Sequence, residues 1–203
     1  RGIYEVAVFK SDIRLSGSFA GIPWQKLDIP QEQIDWTEAK LLFKVGDAAR
    51  GINEDLLVKW NDSSYVFAQQ SAGQSPLEEA FIAGIPLSAE LAARPVSFTM
   101  QFSLNGSGQL LFTAAARENK IQMRSNWPDP AFTGIKLPDT REVKDSGFTA
   151  SWKYLNRTVP PVWKNTFYNL GNTTVGADLL IPVDTYDKTE RSVKYALLCI
   201  MLT

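Results

Sequence analysis

The chain has 203 residues, 44% of them hydrophobic and 21% charged, with a formal net charge of −1. That length holds one large domain or two small ones, and the near-zero charge gives no broad field to draw in nucleic acid or an acidic membrane surface. The chain has no histidine and a single cysteine, Cys199, which excludes His-based triads and general bases, Cys/His zinc sites and any internal disulfide.

Strand signals dominate from the start. The first residue is Arg1 rather than Met, so the sequence reads as an excised piece and says nothing of targeting. Ile13, Leu15 and Phe19 share one parity, with Arg14, Ser16 and Ser18 on the other. Pro30 to Ala39 sets Gln31, Glu32 and Asp35 around Ile34 and Trp36, enough for one or two helical turns. Ala39, Leu41, Phe43 and Val45 then alternate with Lys40, Leu42, Lys44 and Gly46. Such period-two patterns predict half-buried strands. Val58 and Trp60 lead into Asn61-Asp62-Ser63-Ser64, and Tyr65 and Phe67 lead out, which predicts a hairpin.

Ser75-Pro76-Leu77-Glu78-Glu79-Ala80-Phe81 offers an N-cap, a proline at the first helical position and early acids, and predicts a short helix. Ser88 to Ala93 predicts one further turn. The clearest strand is Val96 to Leu104, where Phe98, Met100, Phe102 and Leu104 oppose Ser97, Thr99, Gln101 and Ser103. Asn105-Gly106-Ser107-Gly108 reads as a hairpin turn, since Asn and Gly tolerate positive φ, with Leu110, Phe112 and Ala114 returning. Phe148, Ala150, Trp152 and Tyr154 alternate with Thr149, Ser151 and Lys153. Arg157 to Ala177 shows little alternation and reads as a long loop; Leu179 to Val183 reads as a short last strand.

The tail has a different character. Asp184 or Thr185 can cap a helix. Asp184–Lys188, Asp187–Arg191 and Glu190–Lys194 are acid-to-base pairs at i,i+4, the favourable order on a helix surface. Tyr195 to Leu202 is then unbroken apolar sequence. That run is compatible with a C-terminal core helix or with the beginning of a membrane helix, which needs roughly 20 apolar residues to cross. The fold expected is mainly β, an antiparallel sandwich or large twisted sheet with short connecting helices and a C-terminal helix.

Catalytic signatures are missing. The chain contains no G-x-S-x-G, S-x-x-K, P-loop or G-x-G-x-x-G. Glu78 and Glu79 are adjacent, and neighbours on a helix do not face each other, so a solvated first turn is their expected place. Asn61, Asn105, Asn156 and Asn172 open Asn-x-Ser/Thr triplets, which turn chemistry explains without modification at the predicted turns. One segment breaks the strand rhythm: Arg124-Ser125-Asn126-Trp127-Pro128-Asp129-Pro130-Ala131-Phe132-Thr133-Gly134. Its prolines remove ladder donors and hold the backbone extended. Trp127, Pro128, Pro130 and Phe132 are therefore the candidate binding residues of a stiff aromatic loop, which would make the domain a binding module for a glycan-like ligand; the residues by themselves favour a loop that folds its rings onto the core.

Arg1-Gly2-Ile3-Tyr4-Glu5-Val6, Asn105-Gly106-Ser107, Ser125-Asn126-Trp127-Pro128, Phe132-Thr133-Gly134, Leu137-Pro138, Gly147-Phe148-Thr149-Ala150-Ser151-Trp152, Pro182-Val183-Asp184-Thr185-Tyr186, Arg191 and Lys194-Tyr195-Ala196-Leu197-Leu198 occur in that order along the chain. Together they resemble the CreD family, the cell-envelope-integrity inner-membrane proteins of Gram-negative bacteria. The resemblance implies a β-rich periplasmic domain over residues 1–184 and a helix over 185–203 leading into a transmembrane segment, with further spans on either side. It implies membership of the CreBC regulon, a part in envelope integrity and in β-lactam and colicin response, contacts with envelope proteins or cell-wall components, and no catalytic residues, cofactor, metal or nucleic acid. Lys188, Arg191 and Lys194 run against it, because the positive-inside rule alone would put this domain in the cytoplasm.

Overall fold

A computed structural model of the chain describes residues 5–23, 29–46, 51–69, 80–157 and 173–181. These residues are mainly β, as the alternating stretches require. A four-stranded antiparallel sheet is ordered β1-β7-β3-β4, from β1 (Val8–Phe19), β7 (Val96–Ser107), β3 (Leu57–Trp60) and β4 (Ser63–Val66). β1 and β7 pair over their full length, from Val8 opposite Ser107 to Phe19 opposite Val96. A three-stranded sheet, β2-β6-β5, is built from β2 (Lys40–Lys44), β6 (Ala80–Gly84) and β5 (Ala68–Gln69).

Those two sheets share one core. Ile13, Val58, Met100, Phe102 and Leu104 from the first meet Phe81 and Ala83 from the second, with Leu41 and Phe43 packed beside them. The Phe43 and Phe102 rings meet edge-on at 5.5 Å and join the two sheets, an arrangement favoured by the ring quadrupoles. Two sheets facing across one apolar layer make a β-sandwich.

Two further three-stranded sheets enclose a second core. One is ordered β11-β12-β9, from β11 (Thr140–Lys144), β12 (Gly147–Leu155) and β9 (Glu118–Ser125). The other is ordered β10-β13-β8, from β10 (Pro130–Gly134), β13 (Thr174–Leu179) and β8 (Gln109–Thr113). Phe148, Ala150 and Trp152 of β12 pack with Val175 and Ala177 of β13. Leu110 and Phe112 of β8 pack instead against the first core. The β10-β13-β8 sheet therefore contributes to both cores and connects them.

The local signals behave as their chemistry dictates at several points. Asn61 takes φ 52° in the β3–β4 turn, and its side-chain oxygen accepts from the Ser97 N–H at 3.1 Å. Ser88 caps α1 (Ala89–Ala92) by accepting from the Leu91 N–H. The expected turns around Pro30 to Ala39 are two short 3₁₀ segments, Gln31–Gln33 and Trp36–Glu38.

Four expectations are corrected. Asn105, Gly106 and Ser107 are not a hairpin turn but the end of β7, paired with Lys10, Phe9 and Val8. Gly106 serves close approach: a Cβ there would lie 2.4 Å from the Phe9 ring stacked across from it. The chain turns at Gly108 alone, with φ +74°, and β8 leaves for a different sheet. Ala80 and Phe81 are not helical but open β6; residues 75–79 lie outside the described residues. The end of the supposed long loop, Thr174 to Ala177, is the middle strand β13, which stops at Leu179. Pro130 to Gly134 is β10 rather than loop. Pro130 stands at the strand's first position, where a missing N–H is tolerated. The C-terminal helix expected over 185–203 lies outside the described residues.

Trp152 is 2% exposed and sits at the centre of the second core. Trp152→Ala is expected to destabilise the domain by about 3–5 kcal/mol, read from the shift in urea midpoint, because the cavity cannot be filled by collapse of a sheet.

Candidate functional site

The Trp127–Phe132 segment can be placed residue by residue. β9 delivers the chain to Ser125, whose hydroxyl accepts from the Trp127 N–H at 3.1 Å and turns the backbone. Trp127 is half-buried against the second core, and its indole N–H donates to the Leu180 carbonyl at 2.9 Å. Phe132 is also half-buried, edge-on to Phe148 at 5.6 Å and to Trp152 at 5.9 Å. Pro130 pairs with Leu179, and Pro128 alone of the four candidate residues is exposed. Both rings thus turn inward, which favours the core-capping reading of this segment over a binding platform.

The same segment leads to a feature with no single-residue signature in the sequence. The Leu180 N–H donates to the Asp129 carbonyl at 3.1 Å, and the Leu179 N–H donates to the Gly108 carbonyl at 2.7 Å. The Gly108 N–H donates in turn to the Ala7 carbonyl at 2.7 Å. The first and last described stretches of chain are thereby held by the two backbone polar groups of one residue. Around this node Val6 is 56% exposed, Val8 77% and Leu180 51%.

Among the described residues, two carboxylates share one surface. The Asp12 carboxylate accepts from the Ser103 hydroxyl at 2.9 Å, and Glu54 accepts from the Ser103 backbone N–H. Gln101 lies on the same shallow surface and accepts from the Arg14 guanidinium at 3.2 Å. Asp12 and Glu54 are both exposed. A carboxyl used as a general acid is instead desolvated, so that its proton is retained near neutral pH. Among the described residues no group of three or more Cys, Asp or Glu is placed to hold a metal ion. Glu78 and Glu79 lie outside the described residues, as does the tail from Asp184.

One ion pair organises a loop. Asp139 accepts from the Lys136 ammonium through one oxygen and from the Lys153 N–H through the other at 2.7 Å. Lys136 also donates to the Lys153 carbonyl, and the Lys136 carbonyl receives the Trp152 indole N–H at 3.2 Å. The clamp therefore presses residues 136–139 onto β12 over the second core. The Lys136 hydrogen bond, followed by that from the Lys153 N–H, holds the Asp139 carboxyl below the ordinary aspartate value.

Comparison with known proteins gives a clear result. Residues 1–203 match the family model described as inner membrane protein CreD. The chain is 30% identical over 214 aligned positions to the inner membrane protein CreD of Escherichia coli (strain K12). The alignment covers 100% of this chain and 45% of the relative, so the chain spans about half the length of that protein. No solved structure matches.

Trp127→Phe keeps an aromatic ring but removes the indole N–H bonded to Leu180 and part of the packing on the second core, and is expected to cost about 1–2 kcal/mol in denaturant unfolding. The Asp139 clamp sets a pH dependence. Its carboxyl is lower in the folded than in the unfolded chain, so its contribution is present above the unfolded value of about 3.9 and is lost as pH falls through the folded one. Urea midpoints followed downward from neutral pH are expected to fall less steeply for Asp139→Asn than for the parent.

Proposed function

The chain belongs to the CreD family of inner membrane proteins, and we propose that it is the non-catalytic periplasmic domain of such a protein. It contributes to cell-envelope integrity through contacts with other envelope components, within the CreBC regulon and its β-lactam and colicin responses. The observation that carries this reading is the family match across residues 1–203.

Two further features support it. No described helix is long and apolar enough to cross a membrane, while the chain covers 45% of its relative. The spans of a polytopic protein would then lie in the remaining length and in the apolar run from Tyr195 to Leu202. The exposed carboxylates of Asp12 and Glu54, in a chain without histidine, support contact rather than turnover as the domain's role. Lys188, Arg191 and Lys194 argue for the opposite orientation, and we follow the family resemblance over them.

Rescue of envelope function separates contact from catalysis. In cells lacking the protein, exclusion of a large dye and tolerance of a β-lactam are expected to return with the parent and with the Asp12→Asn, Glu54→Gln double variant. Trp152→Ala, which breaks the second core, is expected to fail. Loss of rescue in the double variant, with its fold intact, would show that the carboxylates take part in the function, and assay of the purified domain for hydrolysis of peptidoglycan or a β-lactam then separates chemistry from contact.

A further inference from the structure

The Gly108 node gathers exposed apolar side chains where the chain enters and leaves the described fold. Val8 is the most exposed large hydrophobic residue among those described, at 77%, although it lies in a regular strand paired to Ser107. Val6 precedes Ala7, whose carbonyl is bound by the Gly108 N–H, and Leu180 follows Leu179, whose N–H is bound by the Gly108 carbonyl. Exposed Pro128 lies in the loop that receives the Leu180 N–H at Asp129. Single exposed aliphatic residues are ordinary on soluble surfaces. Three of them stand next to residues bound at, or paired beside, one backbone node, and exposed apolar groups gathered in this way call for a covering.

We propose that this rim, Val6, Val8 and Leu180 with Pro128, is the surface on which the domain rests against the lipid interface of the inner membrane. The inference rests on the membrane-anchored reading above and adds to it the face that meets the bilayer. The two ends of the domain leave at one place, so segments that continue from both into the membrane bring that place to the bilayer first. The nearby charges do not favour attraction to anionic headgroups: Lys10 stands two residues from Val8, but exposed Asp129 is the residue whose carbonyl receives the Leu180 N–H. Contact is therefore apolar, with side chains entering the boundary between headgroup and acyl chain. β1 runs away from the rim, and Ser18, exposed and ten residues along it from Val8, lies roughly 33 Å distant at the rise of an extended strand.

The test uses the full-length protein carrying Cys199→Ser and one new cysteine, from Val8→Cys, Leu180→Cys or Ser18→Cys, each labelled with an environment-sensitive fluorophore. The proteins are placed in nanodiscs of phosphatidylethanolamine and phosphatidylglycerol with and without headgroup-spin-labelled lipid. Quenching at positions 8 and 180 is expected to exceed that at 18 by several-fold. Equal quenching at all three positions overturns the proposal. So does protection of positions 8 and 180 from both the lipid quencher and aqueous iodide, which would mean that a second copy or the protein's own helices cover the rim. A membrane-impermeant maleimide applied to Ser18→Cys in spheroplasts and in inverted vesicles reads the orientation separately. Labelling only in inverted vesicles would sink the periplasmic assignment and leave the lipid contact standing.

Discussion

The structure depends on what a single residue can do at positive φ. β7 ends at Ser107 and β8 begins at Gln109, so Gly108 is the whole connection between two sheets. Its φ of +74° is what a one-residue change of direction requires. A side chain would meet nothing within 4 Å, so glycine is needed for its backbone and not for space. The left-handed region costs an L-residue roughly 1–2 kcal/mol. Both polar groups of Gly108 are then committed, the N–H to Ala7 and the carbonyl to Leu179. A strain or slip there would disturb the β1–β7 ladder and the β8–β13 pairing together.

The strands whose one face meets a core and whose other face meets solvent were plain in the sequence. Val96 to Leu104, Ala39 to Gly46 and Phe148 to Tyr154 alternate because water reaches one side of each, and they form β7, β2 and β12. Local chemistry was equally readable at Asn61, whose backbone takes the positive φ of its turn, and at Ser88, whose side chain caps its own helical turn. The candidate aromatic segment was legible as a departure from rhythm. Its destination was not, because the sequence does not say that Leu180 supplies the acceptor for Trp127 from 53 residues away.

Two of the misread elements share a physical cause. β6 and β13 are middle strands of three-stranded sheets. Ala80, Phe81 and Ala83 are buried, and so are Val175, Gly176 and Ala177. With both faces covered, the two-residue period disappears. Small residues then resemble loop, and Pro76 with two glutamates ahead of Ala80 resembles a helix start. Asn105-Gly106-Ser107 misled differently, since Asn105 and Ser107 are exposed. Its turn-forming composition serves a close approach between strands, which only the partner ring of Phe9 reveals. β9 and β11 went unread for another reason: β9 has only half-buried residues on its inner parity and β11 is exposed along its whole length, so neither has a fully buried face to read.

The convergence of Ala7 and Leu179 on Gly108 has a consequence for how such a protein could be assembled. To whatever chain lies on either side, a folded body with adjacent ends is equivalent to a very short loop. Closing a loop costs entropy that depends on the separation its ends must bridge and only weakly on the residues between them. An insert of this kind leaves the spacing of its flanking segments unchanged and folds on its own cores. It could be grafted between two neighbouring elements of an unrelated host, or removed and replaced by a few residues, without asking the host to rearrange.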